Sequence, residues 1–216
     1  MNGRDKIFGA IRSRLHRTVD VEEARAAIAE RVKTKRAESR AVASQDELIT
    51  RFRTLLSEGG SGSAECSADE LGTQIEEYLR GRQISPEVVV APADAIERYK
   101  LDSSALQMRT GAMRKDDRTS ITEAISGVAE TGSVLLASSP QFPALASFIV
   151  QTHIVLVKRE SIVASLEDSW DELRHRHVRV PRHCVWVTGA SSTGDIDMRL
   201  VIGAQGPRML QIFIVD

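Results

Sequence analysis

Apolar positions in the first 80 residues recur at intervals of three and four, the spacing of one helix face. Ile7, Ile11 and Leu15 make one such stripe behind Asp5, a residue type that caps helices. Asp20 and Glu23 open a second stretch, rich in alanine and charge, that runs to about Arg40. Ser44 with Glu47, and Ser67 with Glu70, have the spacing at which each side chain satisfies the other residue's free backbone N–H. The first pair heads Leu48, Phe52, Leu55 and Leu56; the second heads Leu71, Ile75, Tyr78 and Leu79. Between them, 59–63 (GGSGS) predicts a flexible turn.

From about residue 85 the period shortens. EVVVA (87–91), SVLLA (133–137), HIVLV (153–157), CVWV (184–187) and QIFIV (211–215) read as strands. Near-continuous apolar runs of this kind suit a sheet covered on both faces. Helical spacing returns at 144–150 and from Glu160 to about His175, where Ile162, Val163, Leu166, Trp170 and Leu173 form the stripe. Strand–helix alternation predicts an α/β fold of three layers around a mainly parallel sheet. The expected organisation is an N-terminal helical arm, 1–40, followed by an α/β domain, 41–216. No internal repeat is visible.

The 216 residues carry a net charge of −1, unevenly spread. Residues 1–40 hold 11 Lys/Arg against 6 Asp/Glu, and the remainder 18 against 24. The basic end reads either as a solvated helix face or as an arm docking an acidic partner or the acidic body of a second subunit. Nucleic acid is not expected as a partner, because no aromatics interleave with the basic residues. No apolar run approaches a membrane span and the start has no secretory pattern, so the expected compartment is the cytoplasm. Two cysteines, Cys66 and Cys184, are too few for a four-thiolate cluster or zinc site, so no cofactor and no metal site are expected in this chain.

Ligands of open parallel sheets bind in loops at the carboxyl ends of strands. Three loops qualify: the one opening at Ser138 and Ser139, Lys158 and Arg159, and 188–197 (TGASSTGDID). In the last, Gly189, Ser191, Ser192, Thr193 and Gly194 could cradle an anion, with Asp195 starting a helix whose amino end favours negative charge. A small carboxylate or phosphate is the ligand such a loop would take. Glu130 could be a base or nucleophile held at a turn, or an ordinary turn residue, with Thr131 and Gly132 after it as candidate ligand contacts. His153 could be a general base, or a core histidine with its bonds satisfied. His175, His177 and His183 lie among arginines, which disfavours metal ligation. The candidate catalytic residues are therefore Glu130, His153 and Asp195.

Four stretches in order, 129–136 (AETGSVLL), 152–157 (THIVLV), 189–197 (GASSTGDID) and 200–208 (LVIGAQGPR), resemble the lactate-utilisation protein C family, the LUD domain. Arg4, Asp5, Lys6 and Ile7, with Ile11 and Arg12, are similar to that family's opening helix. The resemblance implies a fold like that of sugar-phosphate isomerases and CoA-transferases. It also implies a non-iron–sulfur part in a system oxidising L-lactate to pyruvate, accessory or substrate-binding, beside partners that carry iron–sulfur clusters. The alternative is an independent enzyme acting on an acyl or phosphorylated substrate at the strand-end loops. Two positions depart from the family pattern: Ser192 stands where a basic residue is usual, and Ser120 where glycine is common.

Overall fold

In the computed structural model, residues 3–15, 21–34, 44–138, 147–176, 181–194 and 200–216 are described. The chain divides into two compact units, 1–38 and 39–216. The first contains helices α1 (Gly3–Leu15) and α2 (Val21–Thr34). On these, Ile7, Phe8, Ile11 and Ile28 are exposed.

The second unit is built on a six-stranded sheet, every neighbouring pair parallel. Its strands are β1 (Gly62–Cys66), β2 (Glu87–Ala91), β3 (Gln107–Arg109), β4 (Thr119–Glu123), β7 (Thr152–Lys158) and β12 (Met209–Val215), in the order β1-β12-β7-β4-β2-β3. Parallel pairing demands crossovers, and helices supply several of them. Helices α4 (Ala68–Gly81) and α5 (Ala95–Arg98) cover one face, burying Leu71, Ile75, Leu79 and Tyr99 against Ile121, Ile154, Leu156 and Phe213.

The other face meets α3 (Gln45–Glu58) and a second sheet of β5 (Ser126–Val128), β6 (Ser133–Ala137), β8 (Ile162–Val163) and β9 (Cys184–Val187), ordered β8-β5-β6-β9. Phe52 and Leu56 of α3 are fully buried here with Val134, Val155, Ile162 and Ile212. On the second sheet Ser126 bonds Ser169 of α6 (Leu166–Arg176) at 2.7 Å, and Trp170 meets Trp186 edge to face. A short antiparallel pair, β10 (Ser192–Gly194) and β11 (Leu200–Ile202), completes the elements.

The capping pairs form as the spacing predicts. Glu47 accepts from the Ser44 N–H at 2.8 Å while the Ser44 hydroxyl accepts from the Glu47 N–H, and Glu70 accepts from Ser67. Four expectations are corrected. Gly62 and Ser63 of the glycine-rich turn already belong to β1, which the neighbouring β12 draws into the sheet. The runs 133–137 and 184–187 leave the parallel sheet and pair antiparallel with each other. Ile162 and Val163 form β8 beside β5, so the helix expected from Glu160 starts only at Leu166. Of the helix expected at 144–150, residues 147–150 form a turn and 144–146 lie outside the described residues.

Candidate functional site

Glu130 sits in the turn between β5 and β6 with its side chain exposed. The turn itself is fixed from several directions. The Ala129 and Glu130 N–H groups donate to the Val163 and Ala164 carbonyls at 2.8 and 3.1 Å, and the Gly132 N–H donates to Val128 at 2.9 Å. Gly132 has φ +66°, and a Cβ there would fall 2.8 Å from the Leu55 Cβ and 2.9 Å from the Leu56 nitrogen. Only glycine fits this approach to the last turn of α3. Behind Glu130 runs a chain of hydroxyls: Thr131 to Ser133 at 2.7 Å and Ser133 to Thr188 at 2.8 Å. Gly189 follows, so close to Gly59 that a Cβ would lie 2.8 Å from its carbonyl oxygen.

His153 is completely buried on β7. Its Nε2 lies 2.8 Å from the Thr122 hydroxyl, and its Nδ1 has no partner among the described residues. Burial disfavours the charged imidazole and pushes its pKa down to about 3. Ser120, one of the two departures from the family pattern, is buried directly opposite it in the β4–β7 register. No hydrogen bond joins His153 to Glu130 among the described residues, and the two occupy a sealed interior and an exposed turn.

The three expected strand-end loops do not converge. Because β6 and β9 are antiparallel, their carboxyl ends point in opposite directions. Ser138 ends β6 beside His183, whose backbone N–H it accepts at 3.1 Å; Thr188 ends β9 beside Ser133. Beyond Gly189 the chain turns away to brace another loop. The Ser191 N–H donates to the Pro207 carbonyl at 2.8 Å, and the Ser191 carbonyl accepts from the Gly203 N–H at 2.7 Å. Ser192, Thr193 and Gly194 are paired with Ile202, Val201 and Leu200. They therefore belong to an antiparallel strand pair, and Asp195, where a helix was expected to start, lies outside the described residues. Of the histidines among the arginines, His175 and His183 are exposed, and His177 lies outside the described residues.

At the carboxyl edge of the six-stranded sheet, a cleft of about 550 Å³ opens between the ends of β7 and β12. Lys158 and Arg159 line it as expected, with Gln45, Arg98, Tyr99 and Asp216. Its charges are largely matched internally. Arg159 pairs with Asp46 and, at 2.5 Å, with Glu65; Arg98 pairs with Asp94 and Glu123. The buried Tyr99 donates its hydroxyl to Glu123 at 2.8 Å. Burial, reinforced by Glu123, raises the Tyr99 pKa and holds the phenol neutral. This Arg98–Glu123–Tyr99 cluster was not visible in the chain. Its signal is Glu123 closing the strand TSITE (119–123), whose hydroxyl residues hide it among polar sequence.

These elements have known counterparts. The LUD domain profile matches residues 10–215. The chain belongs to the LUD domain family. Among its LUD relatives, Lactate utilization protein C of Anoxybacillus flavithermus is 28% identical over 186 residues, spanning 80% of this chain and 83% of its own. The protein of the same name from Deinococcus radiodurans is 28% identical over 175 residues, covering 80% and 81% of the two chains. A solved structure, described as a DUF162 family protein from Deinococcus radiodurans, superposes with a TM-score of 0.64 at 22% identity. It covers 81% of this chain and all of its own, and so supports the fold.

Within this LUD chain both cysteines are free thiols, Cys66 buried on β1 and Cys184 half-buried on β9. Burial, with Glu70 and Asp216 nearby, pushes the Cys66 thiol up to about 11. No group of three or more metal-ligating side chains is gathered among the described residues, and no helix among them is long and apolar enough to cross a membrane.

Proposed function

We propose that this LUD protein is the component of an L-lactate utilisation system that itself carries no iron–sulfur cluster, in an accessory or substrate-binding role beside cluster-bearing partners. The observation that carries this reading is the family match over nearly the whole chain, together with relatives named Lactate utilization protein C that align along four-fifths of their length. Two cysteines on different sheets cannot supply four thiolates to a cluster, which supports placing the clusters on other chains. An accessory or binding role also accords with a buried, neutral His153 that lies apart from the exposed Glu130. Deleting the gene should abolish growth on L-lactate, and the intact chain should restore it. Natively expressed, tagged protein should retain partners showing iron–sulfur absorbance. Normal growth in a strain without a redundant system would overturn the reading.

One observation favours a second reading, an enzyme in its own right acting on an acyl or phosphorylated substrate. A buried tyrosine, a carboxylate and an arginine meet at the carboxyl edge, where α/β sheets bind ligands. That reading predicts a ligand-induced rise in melting temperature that Glu123→Gln removes. A screen of acyl and phosphorylated compounds with no hit would remove it.

A further inference from the structure

The opposite, amino edge of the six-stranded sheet carries a different charge pattern. Arg118, Gln151 and Arg208 immediately precede β4, β7 and β12, three adjacent strands. The Gln151 and Thr152 N–H groups donate to the Arg118 carbonyl at 2.9 and 3.0 Å. Those of Arg208 and Met209 donate to the Gln151 carbonyl at 2.9 and 3.1 Å. Thr119, Thr152 and Met209 share one register row, so the residue before each forms the next. Two strand spacings then separate the arginine Cα atoms by about 10 Å, a gap that two arginine side chains can close on one ligand.

These residues line a cleft of about 710 Å³, and none of the described residues that line it is a carboxylate. Among the described residues, neither guanidinium has an ion pair, whereas Arg98 and Arg159 at the carboxyl edge are each held by at least two carboxylates. The frame is built, not incidental. Gly203 has φ +78°, and a Cβ there would fall 2.2 Å from the Arg208 Cγ, so the arginine stem lies where any side chain would be. Ser191 braces the same loop, its hydroxyl accepting the Gln205 N–H at 3.4 Å. Ile149 and Ile202, both about half exposed, give the cleft an apolar wall.

We propose that the amino-edge cleft binds an organic dianion, a dicarboxylate or phosphate monoester with an apolar body. Arg118 and Arg208 share the doubly charged head, matching its charge and presenting forked N–H donors to its oxygens. Gln151 offers an amide between them, and the apolar body lies along Ile149 and Ile202.

The assignment is independent of the lactate reading and is tested by calorimetric titration of the full chain at low salt with phenyl phosphate, benzylmalonate and inorganic phosphate. The expected result is saturable binding of the two apolar dianions, tighter than inorganic phosphate. Arg118→Gln and Arg208→Gln should each weaken it at least tenfold. Arg51→Gln, which removes an exposed charge on α3 outside the cleft, should leave it unchanged. Thermal melts of each variant establish that it is folded. No binding of either probe, equal loss in Arg51→Gln, or equal affinity for phenyl and inorganic phosphate would each overturn the proposal.

Discussion

Replacing His153 by glutamine tests whether this histidine is a sealed core residue or a working base. Its pKa falls from 6.5 in the open chain to about 3 in the fold, because burial penalises the imidazolium. In that window the unfolded chain takes up a proton that the native protein refuses. Native stability is therefore fully present above pH 6.5 and is lost as the pH drops toward 3. Each pH unit within the window costs up to about 1.4 kcal/mol, so about 2 kcal/mol is lost near pH 5. In a protein of this size that lowers the melting temperature by roughly 4–8 °C. Glutamine keeps a polar group for Thr122 and does not titrate. Urea unfolding of parent and His153→Gln across this range should give stability curves that diverge as the pH falls, the parent losing more; the carboxylates contribute equally to both. Parallel curves would refute the reasoning and mean that His153 is charged in the fold or reached by water.

Other substitutions probe the same frame. Gly132→Ala adds a Cβ to a left-handed residue against the α3 backbone and should cost about 2–4 kcal/mol, read in a thermal melt. Tyr99→Phe removes the hydroxyl that Glu123 accepts in a mostly buried pair; a loss of about 1–2 kcal/mol in urea unfolding is expected, and no loss would mean that water replaces the bond. Ser44→Ala breaks the reciprocal cap of α3 and should cost about 1 kcal/mol, with the difference closing if Asp is placed there instead.

What was legible in the chain follows from which interactions are local. The caps of α3 and α4 involve residues three apart, so Ser44–Glu47 and Ser67–Glu70 announced themselves. The apolar strands were equally plain, but the partition of these strands between two sheets was not. Val134 and Ile154 are alike as strand residues; what separates them is whether β9 or β4 and β12 lie alongside, a choice made over tens of residues. The strand TSITE was missed because its hydroxyls look solvated, yet Thr122 is buried against His153 and so is satisfied inside the core. Ile162 and Val163 fitted a helical stripe by spacing and were drawn into a strand by β5. The candidate residues dispersed for the same reason. Glu130, His153 and Ser191 are held by different neighbours, and only the pairing of β6 with β9 reveals that the loops following those two strands face apart.

The placement of β12 has a consequence for how the protein is made. Residues 209–215 lie between β1, made from residues 62–66, and β7, made from residues 152–158. A ribosome adding about 5–20 residues per second finishes β7 several seconds before β12 exists. During that interval β1 and β7 each have an edge of unpaired backbone groups where their shared neighbour belongs, the kind of edge that pairs with other chains. The nascent protein therefore passes through a stage open to strand exchange and to chaperone capture, which closes only when β12 has emerged and paired. A truncation that removes β12 would leave the molecule in that state, with its main sheet split into two pieces.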